Sequence, residues 1–162
     1  MESRTAVRDA TREVLVFVIG NEEYGVDILK VQEIRGYEKV TMIPSAPDFL
    51  KGVVNLRGTI VPVIDMRIKF KLPDPQYNSF TVVVILRLAT RVIGIVVDAV
   101  SDVMRLAAND VKDPPRLGSV VDSSYLTGVA TLNERMVLLL DIEKFLSTGD
   151  LDLLDGVARQ QG

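Results

Sequence analysis

The sequence predicts an all-β protein of two packed five-stranded barrels. Three observations carry that expectation. Short β-branched and aromatic runs recur along the chain, each closed by Gly, Pro, Asn or Asp. Helical spacing is confined to brief stretches. The pattern also restarts halfway, so one unit is present twice.

Residues 1–13 are polar and aperiodic, as expected of a flexible arm. Val14 to Ile19 then reads as a buried strand that stops at Gly20-Asn21, and Tyr24 to Ile28 as its hairpin partner. Val31 to Tyr37 alternates, with Val31, Glu33 and Arg35 on one side and Gln32 and Ile34 on the other. If it is an edge strand, its free backbone groups are open to a partner; if it is interior, they are not. Pro44 and Pro47 interrupt any ladder. Val53 to Leu56 and Ile60 to Ile64 are two further strands around Arg57-Gly58, and Asp65 caps a helical turn reaching Phe70.

A joint follows at Leu72-Pro73-Asp74-Pro75. The first barrel therefore spans about 14–72 and the second about 78–147. In the second half, strands fall at Thr81 to Leu88, Val92 to Val97, Val100 to Leu106, Leu126 to Leu132 and Met136 to Leu140. Residues 113–124 read as a loop. A turn at Asp141 to Leu146 and an amphipathic helix over about 150–160, with Leu151, Leu153, Leu154 and Val157, close the chain.

Setting Gly25 against Gly94, an offset of 69 residues, aligns Val26 with Ile95, Val31 with Val100, Glu33 with Asp102 and Ile34 with Val103. Setting Gly52 against Gly128, an offset of 76, aligns Leu56 with Leu132, Val61 with Val137 and Asp65 with Asp141. A five-strand unit of this size cannot bury both faces of a flat sheet, so closure into small barrels that share an apolar seam follows.

Composition narrows the function. Apolar residues make up 48% of 162, enough for a core, yet no uncharged apolar run reaches the ~18 residues of a membrane span. The start lacks the apolar stretch of a signal peptide, so a cytoplasmic protein is expected. The net charge of −3 with no basic cluster argues against nucleic acid. There is no Cys, His or Trp, which removes thiolate chemistry, the commonest general base and the commonest metal ligand. Asp98, Asp102 and Asp110 fit no calcium loop, and nucleotide-binding glycine motifs are absent. No metal and no cofactor are expected. A nucleic-acid-binding barrel and a carboxylate-based hydrolase or isomerase stand as rival classes.

Asn55, Arg57 and Gly58 have no counterparts in the second half, where the matching stretch reads Thr131-Leu132-Asn133-Glu134. Gly52 and Asp65 do have counterparts. What both halves keep leans structural, and what one half keeps leans functional. Arg57 has the planar fork for carboxylate pairing. It either meets a partner or bridges to Glu33 or Asp65, and one bridge serves both ends if it shapes a binding surface.

Tyr24 to Ile34, Ile43-Pro44, Gly52-Val53-Val54-Asn55-Leu56-Arg57-Gly58 and Pro62-Val63-Ile64-Asp65 together resemble the CheW family of bacterial chemotaxis coupling proteins. Gly94 to Asp98, Val100 to Val103 and Tyr125 to Gly128 extend the resemblance, which runs from about Leu15 to Leu154. It implies one CheW-like domain over 1–162, built as two SH3-like barrels in pseudo-twofold arrangement. It implies an adaptor without enzymatic activity that binds the regulatory domain of the histidine kinase CheA and the cytoplasmic tip of methyl-accepting chemoreceptors. Such a protein helps build receptor arrays at the inner face of the membrane. Glu33 and Arg57 match the family's polar pair, beside Asn55 of the signature. Val31, Gly52, Val82 and Val103 match its apolar receptor- and kinase-facing patches. CheA and CheV carry the same module with further domains for which this chain has no room.

Overall fold

The computed structural model describes residues 12–114 and 125–161, in which strands dominate. The first half forms β1 (Arg12–Ile19), β2 (Glu22–Asp27), β3 (Val31–Gly36), β4 (Leu50–Leu56) and β5 (Thr59–Asp65), followed by the short helix α1 (Met66–Lys69). The second half forms β6 (Val82–Leu88), β7 (Arg91–Val97), β8 (Ala99–Leu106), β9 (Val111–Lys112), β10 (Leu126–Leu132) and β11 (Arg135–Leu140). The helices α2 (Ile142–Phe145) and α3 (Thr148–Gln161) end it. Arg12 and Glu13, expected in the arm, open β1. The rest of that arm and most of the expected 113–124 loop lie outside the described residues.

The strands form two sheets, ordered β8-β1-β2-β11-β10-β9 and β3-β6-β7-β5-β4. Each sheet draws on both halves. The β1–β2 hairpin joins strands of the second half, and the β6–β7 hairpin joins strands of the first. The expected partition at 72/78 is therefore not the partition between sheets. The halves have exchanged their leading hairpins.

The duplication is visible in the strand register. Val14 pairs with Asp27 and Val83 with Val96, each 69 residues on. The parallel contact of Leu139 with Gly25 has its mate in Val63 with Gly94. Even the irregularities repeat. A bulge lies between Val31 and Glu33 on β3, and the same slip occurs where Phe17 faces Val100 and Val16 faces Asp102. A second bulge lies between Leu50 and Gly52, and its mate between Leu126 and Gly128. The two-residue β9 corresponds to an isolated bridge of Thr41 to Val53 in the first barrel.

Three apolar cores follow from the alternation of side chains on strands buried on both faces. Val14 and Val16 of β1 enter a small core with Met104 and Val137, while Leu15, Phe17 and Ile19 enter the large one. Val63, Val83 and Ile85 form the mate of the first small core. Each small core gathers residues from strands distant in its sheet order, so each sheet curls around it. The large core is the seam between the two sheets. Leu154 and Val157 of α3 seal it.

Helix starts use the expected chemistry. Asp65 and Asp141 accept backbone N–H groups at the first turns of α1 and α2. Ser147 and Asp150 cap α3 reciprocally, hydroxyl to the Asp150 N–H and carboxylate to the Ser147 N–H, so the helix begins before residue 150. Lys69 to Asp150 at 2.6 Å and Arg91 to Asp155 at 2.9 Å pin α3 to the barrels. Among the described residues, no helix is long and apolar enough to cross a membrane.

Candidate interaction site

The β4–β5 hairpin presents the first group of candidate residues. Its two-residue turn holds Arg57 at φ 51° and Gly58 at φ 91°, the positive angles of a type I′ turn. Gly58 supplies its angle without steric cost, whereas Arg57 adopts a conformation that L-residues rarely visit. The Asn55 Oδ1 accepts the Gly58 N–H at 2.8 Å and locks the turn. That geometry aims the Arg57 guanidinium at Glu33 on β3, where Nη2 donates to Oε1 at 2.5 Å. Arg35 meets the other Glu33 oxygen at 3.4 Å. The Arg57 hydrogen bond holds the Glu33 carboxyl below the usual carboxylate range, with a smaller contribution from Arg35. Of the two bridges open to Arg57, the structure forms the one to Glu33.

β3 is an edge strand of its sheet. β4 ends the same sheet on the far side, and the β4–β5 turn nevertheless touches β3. The Glu33–Arg57 bridge thus spans the mouth of the curled first barrel. The second barrel has its own version. Asp102, the mate of Glu33, meets Arg135 at 3.0 Å, and Arg135 also holds Glu23 at 2.9 Å. The Arg135 hydrogen bonds hold both carboxyls below their ordinary range. Asn133 and Glu134 occupy the positive-φ turn positions there. An arginine–carboxylate bridge therefore closes both barrels, with Arg135 filling the place of Arg57 two residues along.

The other candidates are dispersed. Gly52 lies on β4 at φ 149°, where a Cβ would strike the Thr41 carbonyl. Val31 and Val82 are half-buried against the large core. Val103 stands 49% exposed on β8, an edge strand of the other sheet. The structure brings Glu33, Asn55 and Arg57 together and leaves Val103 on the other sheet. Its mate in the repeat, Ile34, is 44% exposed on β3 and offers similar apolar surface on the first barrel.

A buried polar cluster escaped the sequence reading. Arg67 is 2% exposed and Asp65 0%. The Arg67 Nε and Nη2 grip the Asp65 oxygens at 3.0 and 2.9 Å, and Nη1 reaches Asp98 at 2.9 Å and the Gln76 carbonyl at 2.5 Å. Tyr77 donates to Asp65 at 2.5 Å, and the Gly20 N–H donates to Asp98 at 2.7 Å. The cluster thereby ties β5 and α1 to the β7–β8 junction, the segment between the halves and the β1–β2 turn. Burial opposes ionisation of Asp65, but Arg67 and Tyr77 outweigh it and the carboxyl stays below its ordinary range. Asp98, Asp102 and Asp110 thus sit in three separate pairings, the last on the Ala107 N–H.

Two interlocked β barrels with ion-paired mouths and exposed edge strands define a small all-β binding scaffold. The family model of the CheW-like domain matches residues 13–150. The chain is 52% identical to the chemotaxis protein CheW of Klebsiella aerogenes, covering 97% of this chain and 95% of that one. It is 34% identical to the chemotaxis protein CheW of Rhizobium meliloti over 82% of this chain and 85% of the relative. The crystal structure of the scaffolding protein TtCheW from Thermoanaerobacter tengcongensis superposes with a TM-score of 0.78 at 28% identity, covering 86% of this chain and 94% of that one. The chain belongs to the CheW family of chemotaxis scaffold proteins.

Proposed function

We propose that this protein is a non-enzymatic adaptor that couples the histidine kinase CheA, through its regulatory domain, to the cytoplasmic tip of methyl-accepting chemoreceptors. The observation that carries the reading is family membership over nearly the whole chain, with the Asn55–Arg57–Glu33 bridge set on an exposed barrel mouth. On this reading it works in the cytoplasm at the inner face of the membrane and helps build receptor arrays. Val31, Glu33, Gly52, Asn55, Arg57, Val82 and Val103 serve the contacts. Val103 offers exposed apolar surface, and the others shape the first barrel. Each interface buries up to roughly 800 Å² per partner, and multiplicity in the array supplies the remaining strength. Signal passes because two contacts on one rigid body are coupled.

Calorimetric titration into the regulatory domain of CheA tests this. Saturable binding weakened by Arg57→Ala or Glu33→Ala supports the reading. Absence of binding at high concentration overturns it.

A further inference from the structure

The two barrels differ at one equivalent place. On β8, Met104 is 6% exposed and plugs the small core of the second barrel between β8 and β10. Its register partner is Val14. The mate of Met104 on β3 is Arg35, paired with Val83 in the same register. Arg35 points to the inner side of its strand, yet its head leaves the core for Glu33 and Glu38. An arginine therefore stands where the sister barrel has its plug.

The consequence is an open hollow of about 220 Å³ between the β3 and β4 edges. Its floor is apolar, made by Val40, Val54, Leu56, Val83 and Ile85. Its rim carries Arg35, Lys39 and Glu38. The cover differs as well. The second barrel closes this edge with β9, which pairs with Val129 and Ala130. The first closes it with the single bridge of Thr41 to Val53. A Leu-lined cavity of about 150 Å³ is known to take a small apolar molecule such as benzene, so this hollow accommodates one Leu or Met side chain.

We infer that the slot between β3 and β4 is a docking site for an extended segment of a partner protein that carries a Leu or Met anchor beside a carboxylate. The anchor takes the place that Met104 holds in the second barrel. The segment's backbone runs along the open edge as β9 does there. The carboxylate answers Lys39 on the rim, Arg35 being already engaged by Glu33 and Glu38. The sister barrel's own occupant is what specifies this chemistry. The inference goes beyond the kinase and receptor contacts and does not depend on them.

The test is an NMR titration of the full chain with the capped heptapeptide Thr-Val-Glu-Leu-Glu-Val-Thr, against a control with Asp in place of the central Leu. Saturating shifts at the amides of Val40, Val54, Leu56, Val83 and Ile85 are expected with the Leu peptide and none with the control. Arg35→Met fills the hollow from within and weakens the peptide roughly tenfold or more. It also raises the melting temperature, because it breaks only long, partly exposed ion pairs of 3.4 and 3.9 Å and supplies a missing plug. Val54→Phe gives a second blocking variant. The inference is overturned if the Leu peptide gives no saturable shifts, if the control binds equally, or if both variants bind as wild type. Movement of the same amides on deletion of residues 2–11 also overturns it, by assigning the slot to the chain's own N-terminal segment.

Discussion

Replacing Arg67 by Met leaves the carboxylate of Asp65 buried without its countercharge. The side chain makes four hydrogen bonds, two to Asp65, one to Asp98 and one to the Gln76 carbonyl. Met fills similar space but donates nothing. Asp65 keeps the Tyr77 hydroxyl and the residue-67 N–H, which do not neutralise a fully buried charge. Removing one partner of such a pair costs about 3–5 kcal/mol. For a domain of this length each kcal/mol moves the melting temperature by roughly 2–4 °C, so Arg67→Met melts about 6–20 °C below wild type at pH 7. The pH dependence gives a second check. In the wild type the depressed Asp65 pKa contributes stability above the unfolded carboxylate pKa, lost as pH falls through the folded one. In the variant, burial without Arg67 raises the Asp65 pKa, and protonation relieves it. The gap between the two proteins therefore narrows from pH 7 to pH 4. Pairing Arg67→Met with Asp65→Asn, which keeps a helix cap, recovers part of the loss. Calorimetric melting of the four proteins tests the scheme. A fall below about 3 °C, or a gap independent of pH, refutes it.

Arg57→Asn places in the first turn the residue that the second carries at Asn133, so melting is unchanged or raised while kinase binding weakens; melting and titration together separate structure from function. Gly94→Ala puts a Cβ at 2.8 Å from the Val83 Cγ1, and overpacking of about 1–3 kcal/mol lowers the melting temperature by roughly 2–12 °C. Gly52→Ala forces a Cβ onto the Thr41 carbonyl, so the Thr41–Val53 bridge opens and the amide of Val53 exchanges faster with solvent. Asp141→Ala removes the acceptor for the Lys144 N–H at 3.2 Å and costs about 1 kcal/mol in denaturant melts.

The strands were legible because their signals are local. Val14 to Ile19 and Thr81 to Leu88 are continuous β-branched runs, and the Gly25–Gly94 and Gly52–Gly128 offsets reappear in the register. The exchange of hairpins was not legible, and the repeat itself is the reason. Equivalent strands carry equivalent patterns, so the sequence does not say whether β2 runs beside β5 or beside its mate β11. β9 is too short to alternate. Arg67 sits in a one-turn helix, where an arginine ordinarily faces water, and nothing local announces its burial against Asp65 and Asp98. The Ser147–Asp150 capping box was a readable signal that sets the start of α3. At the candidate site the repeat pointed to Arg57 through what the second half lacks. The fold shows that half meeting the same need with Arg135, a residue offset from the aligned position.

The adaptor reading is tested most directly by sedimentation of receptor-containing membrane vesicles with purified CheA, with and without this protein. The account predicts that CheA pellets with the vesicles when the protein is present, that far less pellets without it, and that Arg57→Ala reduces the recruited fraction. Equal pelleting of CheA in its presence and absence would contradict the account.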